Sequence, residues 1–223
     1  MKKIIQALEK TGQLENTMIV LAGDQGYSIG YHGVFDKRYP YDENISGPLI
    51  VSWPKKFAQG ERRNQPVNGA DVIQTILGQT GLQPKDPTDG RDLTPLLQAG
   101  ADNKMNWHPK PFVQCYTSDL YDVPTLQSHL KDENFKPLTY DMRLGGHAPV
   151  WIMYHDGRYK YVRYLAKDYI EELYDLEQDP LESDNLAMNP EKSAELERMS
   201  LEGEKAFKAY GWDFVPMIPA PVY

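Results

Sequence analysis

Four polar side chains between residues 24 and 37 carry most of the chemistry that this sequence offers. Asp24 and Gln25 follow the short apolar run Thr17–Leu21. His32 and Lys37 lie in the glycine-rich stretch beyond them. Ligands of open α/β sheets bind at the carboxyl ends of strands. A carboxylate and an amide oxygen at such an end suit a hard cation such as calcium, and a lysine ammonium suits an anionic ester. The spacing therefore predicts a site for a divalent cation and a charged ester.

Each of these residues also has a purely structural interpretation. Asp24 could form an Asx turn after the strand, where aspartate is common. Lys37 could be a solvated surface lysine. His32, between Gly30 and Gly33, could contact a substrate, act as an acid, or pack in the loop against the backbone, and geometry has to decide among these. The residues by themselves leave the alternatives open.

Length, charge and cysteine content restrict the classes of protein. The 223 residues are enough for one large domain or one and a half. A net charge of -8 and the absence of a basic run argue against nucleic-acid binding and against a membrane surface. The single cysteine, Cys115, allows no intrachain disulfide. The first residues have no continuous apolar core, so no signal peptide is predicted, and no stretch is long enough to cross a bilayer.

Two short strands and nearby helices would position the four side chains. The runs Thr17–Leu21 and Pro48–Trp53 are continuously apolar, which predicts central strands covered on both faces. The helix before them is predicted to end at Gly12. A further helix is predicted over Ala70–Thr80, and a strand over Pro111–Tyr116. A helix, a tight turn and a buried strand together indicate an α/β fold with a mixed sheet flanked by helices.

The pattern changes after about residue 115. Residues 117–149 show no clear period, which predicts a long irregular segment of the kind that often serves binding. The turn signal Asp156-Gly157 predicts a hairpin in the part that follows. The strands predicted there are Val150–Tyr154, Tyr159–Tyr164 and Glu172–Leu176. With a helix over 190–209, this part is predicted to be a small antiparallel sheet carrying a carboxyl-terminal helix. We therefore predict two domains, 1–115 and 116–223.

Three ordered blocks of the sequence carry a family resemblance. The first is AGDQGYSIGYHGVFDKRYPYDENISGPLIVSWP, which begins at Ala22. The second is VNGADVIQTILGQTGLQPKDPTDGRDLTPLLQAG, which begins at Val67. The third combines GRYKYVRY with EELYDLEQDPLESDNLA, from Gly157 and Glu171. Together they resemble the carboxyl-terminal half of a type I sulfatase of the alkaline-phosphatase superfamily. The blocks extend over nearly the whole chain, which makes them far more specific than one short motif.

The resemblance implies hydrolysis of sulfate esters, with a sulfated carbohydrate as the substrate. It places Asp24 and Gln25 on a calcium ion and Lys37 against the sulfate. His32 would contact the substrate or act as an acid. Two further candidates for sugar contact, Arg143 and His147, lie in the irregular segment. An intact enzyme of this family would be periplasmic or secreted, and the localisation of this chain is left open.

The chain departs from the family pattern in ways that bear on activity. Tyr31 stands where glutamate is usual before the histidine, and Ser46 where arginine is common before the second strand. The family nucleophile is a cysteine or serine in C/S-x-P-x-R that is oxidised to formylglycine. Cys115 lies in CYTSD, which lacks that pattern, and Ser52 in SWPKK is explained by the strand before it. We expect formylglycine and the remaining calcium ligands only in an amino-terminal half.

These departures predict how the isolated chain behaves. It should be inactive or nearly so, and it should bind calcium weakly or not at all. Missing sheet neighbours should leave apolar surface exposed, which predicts association with an amino-terminal half or self-association. Two other functions stay open. One is a phosphatase or phosphonate hydrolase of the same superfamily, and the other is a non-catalytic complementing subunit of a split enzyme.

Overall fold

A computed structural model of the chain describes residues 1–82, 85–86, 88–101, 107, 112–116, 128, 151–164 and 170–211, and of residues 112–116 it describes the backbone. Apart from residue 128, the predicted irregular segment lies outside these residues. Within the described part, no helix combines the length and the apolar character needed to span a membrane.

The chain forms two compact units. The first comprises residues 1–24 and 47–107, and the second comprises residues 25–46 and 108–223. The predicted domain boundary near residue 115 stays a prediction. The strand Phe112–Tyr116, which the sequence assigned to the first domain, is hydrogen-bonded into the sheet of the second unit.

The first unit contains a helix and two paired strands near its start. Helix α1 (Lys2–Lys10) is followed by Gly12 with a φ of 68°, which confirms the predicted glycine stop. Strands β1 (Ile19–Ala22) and β4 (Leu49–Ser52) confirm the two apolar runs as strands and pair antiparallel.

The predicted burial of these two strands on both faces is wrong for this chain. Leu21 is 43% exposed and Ile50 is 58% exposed. A continuous apolar run is typical of a strand with neighbours on both edges and cover on both faces. In the described residues β1 and β4 form a sheet of two strands, so each has one neighbour. The predicted self-association through such surface stays a prediction.

The rest of the first unit is built around two helices. Helix α3 (Gly69–Thr80) begins with a capping box, in which the Asn68 side chain accepts from the Asp71 N–H and the Asp71 side chain accepts from the Asn68 N–H. This confirms the predicted helix, which Asp71 caps. Helix α4 (Thr94–Leu97) contributes Leu96 to the core. The members of this core are Leu93, Leu96 and Trp107, with Leu49, Val67, Val72 and Leu97 packed around them.

The second unit is organised on a four-stranded antiparallel sheet in the order β5-β6-β7-β8. Its strands are β5 (Phe112–Tyr116), β6 (Trp151–His155), β7 (Tyr159–Tyr164) and β8 (Glu172–Asp175). The predicted turn is confirmed, because Asp156 Oδ1 accepts from the N–H groups of Arg158 and Tyr159, and Gly157 has a φ of 107°. The sheet thus contains the three strands predicted for this part of the chain. Its fourth strand, β5, was predicted as a strand of the first domain.

Both faces of this sheet are covered. Helix α5 (Ser193–Ala209) confirms the predicted carboxyl-terminal helix and packs Met199 and Ala206 against one face. The other face packs against Val34 and Tyr39 of the segment 25–46. Successive side chains of a strand point to opposite faces, which explains why β6 is buried along its length instead of at alternate positions. The segment that carries His32 and Lys37 is thus one covering layer of the second unit.

Small elements shape this segment. Strands β2 (Ser28–Ile29) and β3 (Phe35–Asp36) form an antiparallel pair. A short 3-10 helix, Tyr31–Gly33, connects them. Helix α2 (Asp42–Ile45) follows them in the chain.

Candidate functional site

Asp24 and Gln25 lie between two anchored glycines, at the point where the two compact units divide. In the first unit, the Gly23 N–H donates to the Pro48 carbonyl oxygen at 2.9 Å. In the second unit, the Gly26 N–H donates to the Asn44 carbonyl oxygen at 2.8 Å. Asp24 is exposed and Gln25 is half-buried. That the two side chains converge on one ion stays a prediction.

Gly26 requires the absence of a side chain because backbone approaches it closely. A Cβ atom at this position would lie 2.0 Å from the Glu43 carbonyl oxygen and 2.9 Å from the Ser46 carbonyl oxygen. Those carbonyls belong to helix α2 and its carboxyl-terminal end. The glycine after the candidate metal ligands therefore fixes the backbone that follows Gln25 against α2.

The donor chemistry fits a hard cation, but the ligand set in the described residues is incomplete. Asp24 and Gln25 offer a carboxylate and an amide oxygen, which are calcium-type donors. Calcium takes about six to eight oxygens. In the described ranges, no group of three or more histidine, cysteine, aspartate or glutamate side chains could hold a metal ion. Calcium binding by this chain stays a prediction, with Asp24 and Gln25 as its candidate ligands.

The loop with the two candidate catalytic residues has an unusual backbone. Positive φ angles occur at His32 (51°), Asp36 (130°) and Arg38 (89°), besides the flanking Gly30 and Gly33. A residue other than glycine held in such a region costs about 1–3 kcal/mol, and it persists only where its surroundings enforce it. Such residues concentrate at functional sites, so the strain agrees with the prediction that this loop does chemistry.

Contacts with the four-stranded sheet, and with Glu182 after its last strand, hold this loop and the residues after it. The Trp151 Nε1 donates to the Arg38 carbonyl oxygen at 2.9 Å, and Trp151 is buried. The Asp42 N–H donates to Glu182 Oε2 at 2.6 Å at the start of α2. The Lys160 ammonium lies 2.9 Å from Asp42 Oδ1 and also pairs with Glu182. These contacts supply the surroundings that the strained backbone needs.

The His32 imidazole is stacked rather than free. It lies parallel to the Tyr41 ring, with 3.7 Å between the ring centroids and 3° between the planes. Burial lowers the pKa of His32, whereas the Glu43 carboxylate and a hydrogen bond to the Leu181 backbone oppose that change. Lowering the pKa favours the neutral imidazole near pH 7. Geometry thus gives His32 a fixed ring orientation, while its role toward a substrate stays a prediction.

Lys37 follows the strand β3 and is exposed. Its N–H donates to Asp36 Oδ1 at 2.8 Å, which fixes the backbone and leaves the ammonium out of that contact. The ammonium forms no ion pair with any residue in the described ranges. An exposed ammonium at the end of a strained loop can take an anion without first breaking an internal ion pair. The other two predicted contacts, Arg143 and His147, lie outside the described residues.

Sequence reasoning missed a buried carboxyl beneath the candidate site. Glu172 Oε1 accepts hydrogen bonds from the hydroxyls of Tyr41 at 3.3 Å and Tyr164 at 3.1 Å. The Tyr174 hydroxyl also bonds this carboxyl. Burial raises the pKa of Glu172 to about 7, even though the three phenols favour the ionised form. The sequence does contain a signal for this contact. Glu172 lies two residues before Tyr174 in the same strand, so both side chains point to one face of the sheet.

A family comparison decides the assignment. The family described as N-sulphoglucosamine sulphohydrolase, C-terminal, matches residues 30–155, which is more than half of the chain. The chain belongs to this sulfatase family. The match covers His32 and Lys37, and it confirms the resemblance to the carboxyl-terminal part of the sulfatases and to their alkaline-phosphatase-like fold.

Individual sulfatases and related hydrolases agree with the family match. The chain is 28% identical to an N-acetylglucosamine-6-O-sulfatase of Bacteroides thetaiotaomicron, over 92% of this chain and 33% of that protein. A solved structure in complex with its substrate D-glucosamine-2-N,6-O-disulfate has a TM-score of 0.74 at 24% identity, covering 98% of this chain and 39% of that one. A phosphonate monoester hydrolase from Silicibacter pomeroyi has a TM-score of 0.69 at 26% identity, covering 93% and 38%.

The matched proteins are longer than this sulfatase chain. It spans about a third of the N-acetylglucosamine-6-O-sulfatase and less than half of either solved structure. The family description also refers to a carboxyl-terminal region. The activity of the matched proteins therefore does not pass directly to this chain.

Proposed function

We propose that this chain is the carboxyl-terminal part of a sulfatase that hydrolyses sulfate esters of carbohydrates. The observation that supports this most directly is the sulfatase family match over the strained loop that presents His32 and Lys37. The similarity to an N-acetylglucosamine-6-O-sulfatase supports a sulfated amino sugar as the kind of substrate. The net charge of -8 does not attract a sulfated substrate, so recognition depends on local cations such as Lys37.

Lys37 is the residue to which we assign the sulfate. Its ammonium is exposed and is not engaged by a carboxylate among the described residues. A point charge suits a tetrahedral oxyanion, and a fixed cation stabilises the negative charge that gathers on the sulfate oxygens as the ester bond breaks. The Asp36 side chain fixes the Lys37 backbone, so the ammonium extends from a defined position.

Asp24 and Gln25 would hold calcium, and His32 would contact the substrate or donate a proton to the leaving alcohol. Calcium, when bound, supplies a concentrated positive charge for the sulfate oxygens. The remaining metal ligands and the formylglycine nucleophile would come from another part of a longer protein. A neutral His32 suits hydrogen bonding to a sugar hydroxyl, and a proton-donating role requires the minor protonated form at neutral pH.

Anion binding tests the assignment of Lys37. Sulfate and glucosamine 6-sulfate are titrated into the purified chain, with and without calcium, and followed by 15N–1H spectra. We expect binding to weaken about tenfold in Lys37→Ala, which corresponds to about 1.4 kcal/mol. Lys55→Ala, which removes another exposed lysine, is the matched control. Equal sulfate affinity in Lys37→Ala and the unchanged chain would refute the assignment. Clear turnover of an aryl sulfate by the purified chain would contradict the incomplete machinery that we propose.

A phosphonate or phosphate ester is the second candidate substrate. The observation in its favour is the similarity to a phosphonate monoester hydrolase at 26% identity and a TM-score of 0.69. Because a lysine suits either anion, the sulfate titration alone does not separate the two substrates. Repeating it with methylphosphonate compares the two affinities directly. Tighter binding of methylphosphonate than of sulfate, lost in Lys37→Ala, would favour the phosphonate hydrolase.

A further inference from the structure

We infer that Tyr41, held by the Glu172 carboxyl, is a positioning residue that sets the orientation of the His32 ring. The stacked pair of rings and the buried hydrogen bonds behind it carry this inference. It deepens the proposed function, because it names the device that would aim His32 at a substrate.

The contact between the two rings is close and parallel. Centroids 3.7 Å apart with planes 3° from parallel leave His32 little freedom to rotate about its side-chain bonds. The His32 backbone has a φ of 51°, which is unusual for a residue with a side chain. A left-handed backbone costs free energy for a residue with a side chain, so it persists where the surroundings enforce it. The surroundings therefore impose the position of this ring.

Tyr41 can impose a position because it is itself fixed from behind. Its hydroxyl donates to Glu172 Oε1 at 3.3 Å, and the Tyr164 hydroxyl donates to the same oxygen at 3.1 Å. The Tyr174 ring meets Tyr41 edge-on, with 6.5 Å between centroids and 70° between planes. Tyr164 and Tyr174 are buried in strands β7 and β8. A rigid sheet thus fixes Tyr41, and Tyr41 fixes the histidine of the loop.

The charges around this arrangement also restrict His32. Glu43 and Asp179 favour its protonated form, whereas Lys160 and burial disfavour it. The hydrogen bond between the imidazole and the Leu181 backbone favours the protonated form as well. The stack with Tyr41 sets the ring orientation, and we expect a single neutral tautomer. A histidine that acts on a substrate needs its ring within about 10–20° of the productive orientation. It also needs the ring nitrogen that faces the substrate in the correct protonation state.

The experiment reads the His32 ring directly and needs no substrate. The carbon-bound ring protons and ring nitrogens of His32 are followed by NMR in the purified chain, and their signals are assigned by their loss in His32→Gln. A stacked imidazole has ring-current-shifted protons, and a fixed tautomer has unequal nitrogen shifts. Tyr41→Phe keeps the aromatic ring and removes the bond to Glu172. Tyr41→Leu removes the stack, and Glu172→Gln keeps an oxygen acceptor.

The variants have distinct expected results. The ring-current shift should be lost in Tyr41→Leu, reduced in Tyr41→Phe and retained in Glu172→Gln. Tyr161→Phe is the matched control, because this buried tyrosine donates to Glu171 and does not touch His32. An unchanged His32 signal in either Tyr41→Phe or Tyr41→Leu would overturn the inference. If Tyr41→Leu does not fold, an unchanged signal in Tyr41→Phe is sufficient to overturn it. The result is independent of sulfate binding, so failure of the proposed function and failure of this inference are distinguishable.

Discussion

Replacing Glu172 by glutamine should change how the stability of the second unit depends on pH. The carboxyl is buried beneath three tyrosine hydroxyls, and burial raises its pKa from 4.5 to about 7. The folded chain therefore keeps a proton at pH values where the unfolded chain has released it. Unfolding releases that proton, so the free energy of unfolding falls as the pH rises between about 4.5 and about 7. The stabilisation is complete below the lower value and is lost as pH rises through the upper one.

The size of the effect follows from the difference between the two pKa values. At about 1.4 kcal/mol for each pH unit, the rise from 4.5 to about 7 corresponds to about 3 kcal/mol as an upper bound. Glutamine has the shape of the protonated acid and cannot ionise. Glu172→Gln should therefore remove this contribution to the slope. Relative to the unchanged chain, the free energy of unfolding of this variant should increase by up to about 3 kcal/mol between pH 5 and pH 8.

Urea unfolding at several pH values measures this difference. The indole N–H signal of Trp151 reports on the second unit, because this buried side chain donates to the Arg38 carbonyl oxygen. Groups that do not interact with Glu172, such as Asp156 with its lowered pKa, affect both proteins alike and cancel in the comparison. Glu177→Gln is the control, since this carboxylate is exposed. If the difference in unfolding free energy between Glu172→Gln and the unchanged chain stays constant from pH 5 to pH 8, a protonated Glu172 in the folded chain is refuted.

Two further substitutions test what holds the candidate loop. Lys160→Met should lower the free energy of unfolding by about 3–5 kcal/mol, because it leaves the buried Glu182 carboxylate without its cation, and Glu182→Gln in the same chain should restore part of the loss. Urea unfolding measures both, and a loss below 1 kcal/mol would contradict the anchoring role. Gly26→Ala should destabilise by about 1–3 kcal/mol because its Cβ meets the Glu43 carbonyl at 2.0 Å. Gly69→Ala, with open space around its Cβ, is the control, and equal thermal midpoints for these two alanine variants would contradict the close approach at Gly26.

Local features of the fold were predictable from the sequence because their causes lie within a few residues. The stop of α1 at a glycine, the helix α3 and the Asp156-Gly157 hairpin each follow from residues in short stretches of the sequence. The strands β1 and β4 were recognisable as apolar runs, yet their exposure was not. Burial depends on which neighbours are present, and in the described residues each of these strands has a single one.

The candidate site was predictable in its residue types and less so in its surroundings. The motif indicated Asp24, Gln25, His32 and Lys37 as a group, and the family match over residues 30–155 covers His32 and Lys37. The sequence left open whether His32 is a packed loop residue or a functional one. The structure shows a stacked ring on a strained backbone, which fits a positioned histidine. Its role toward a substrate stays a prediction.

The sequence by itself determined the family of this protein, the residue types of its candidate site and most of its helices and strands, because spacing and periodicity are local properties of the chain. Only the tertiary structure decided which polar groups are buried together. Lys160 looks like an ordinary strand lysine, yet it is 0% exposed and pairs with Asp42, 118 positions away. Glu172 reaches Tyr41 across 131 positions. Contacts over such separations depend on how the sheet and the loop pack, and no local pattern records them.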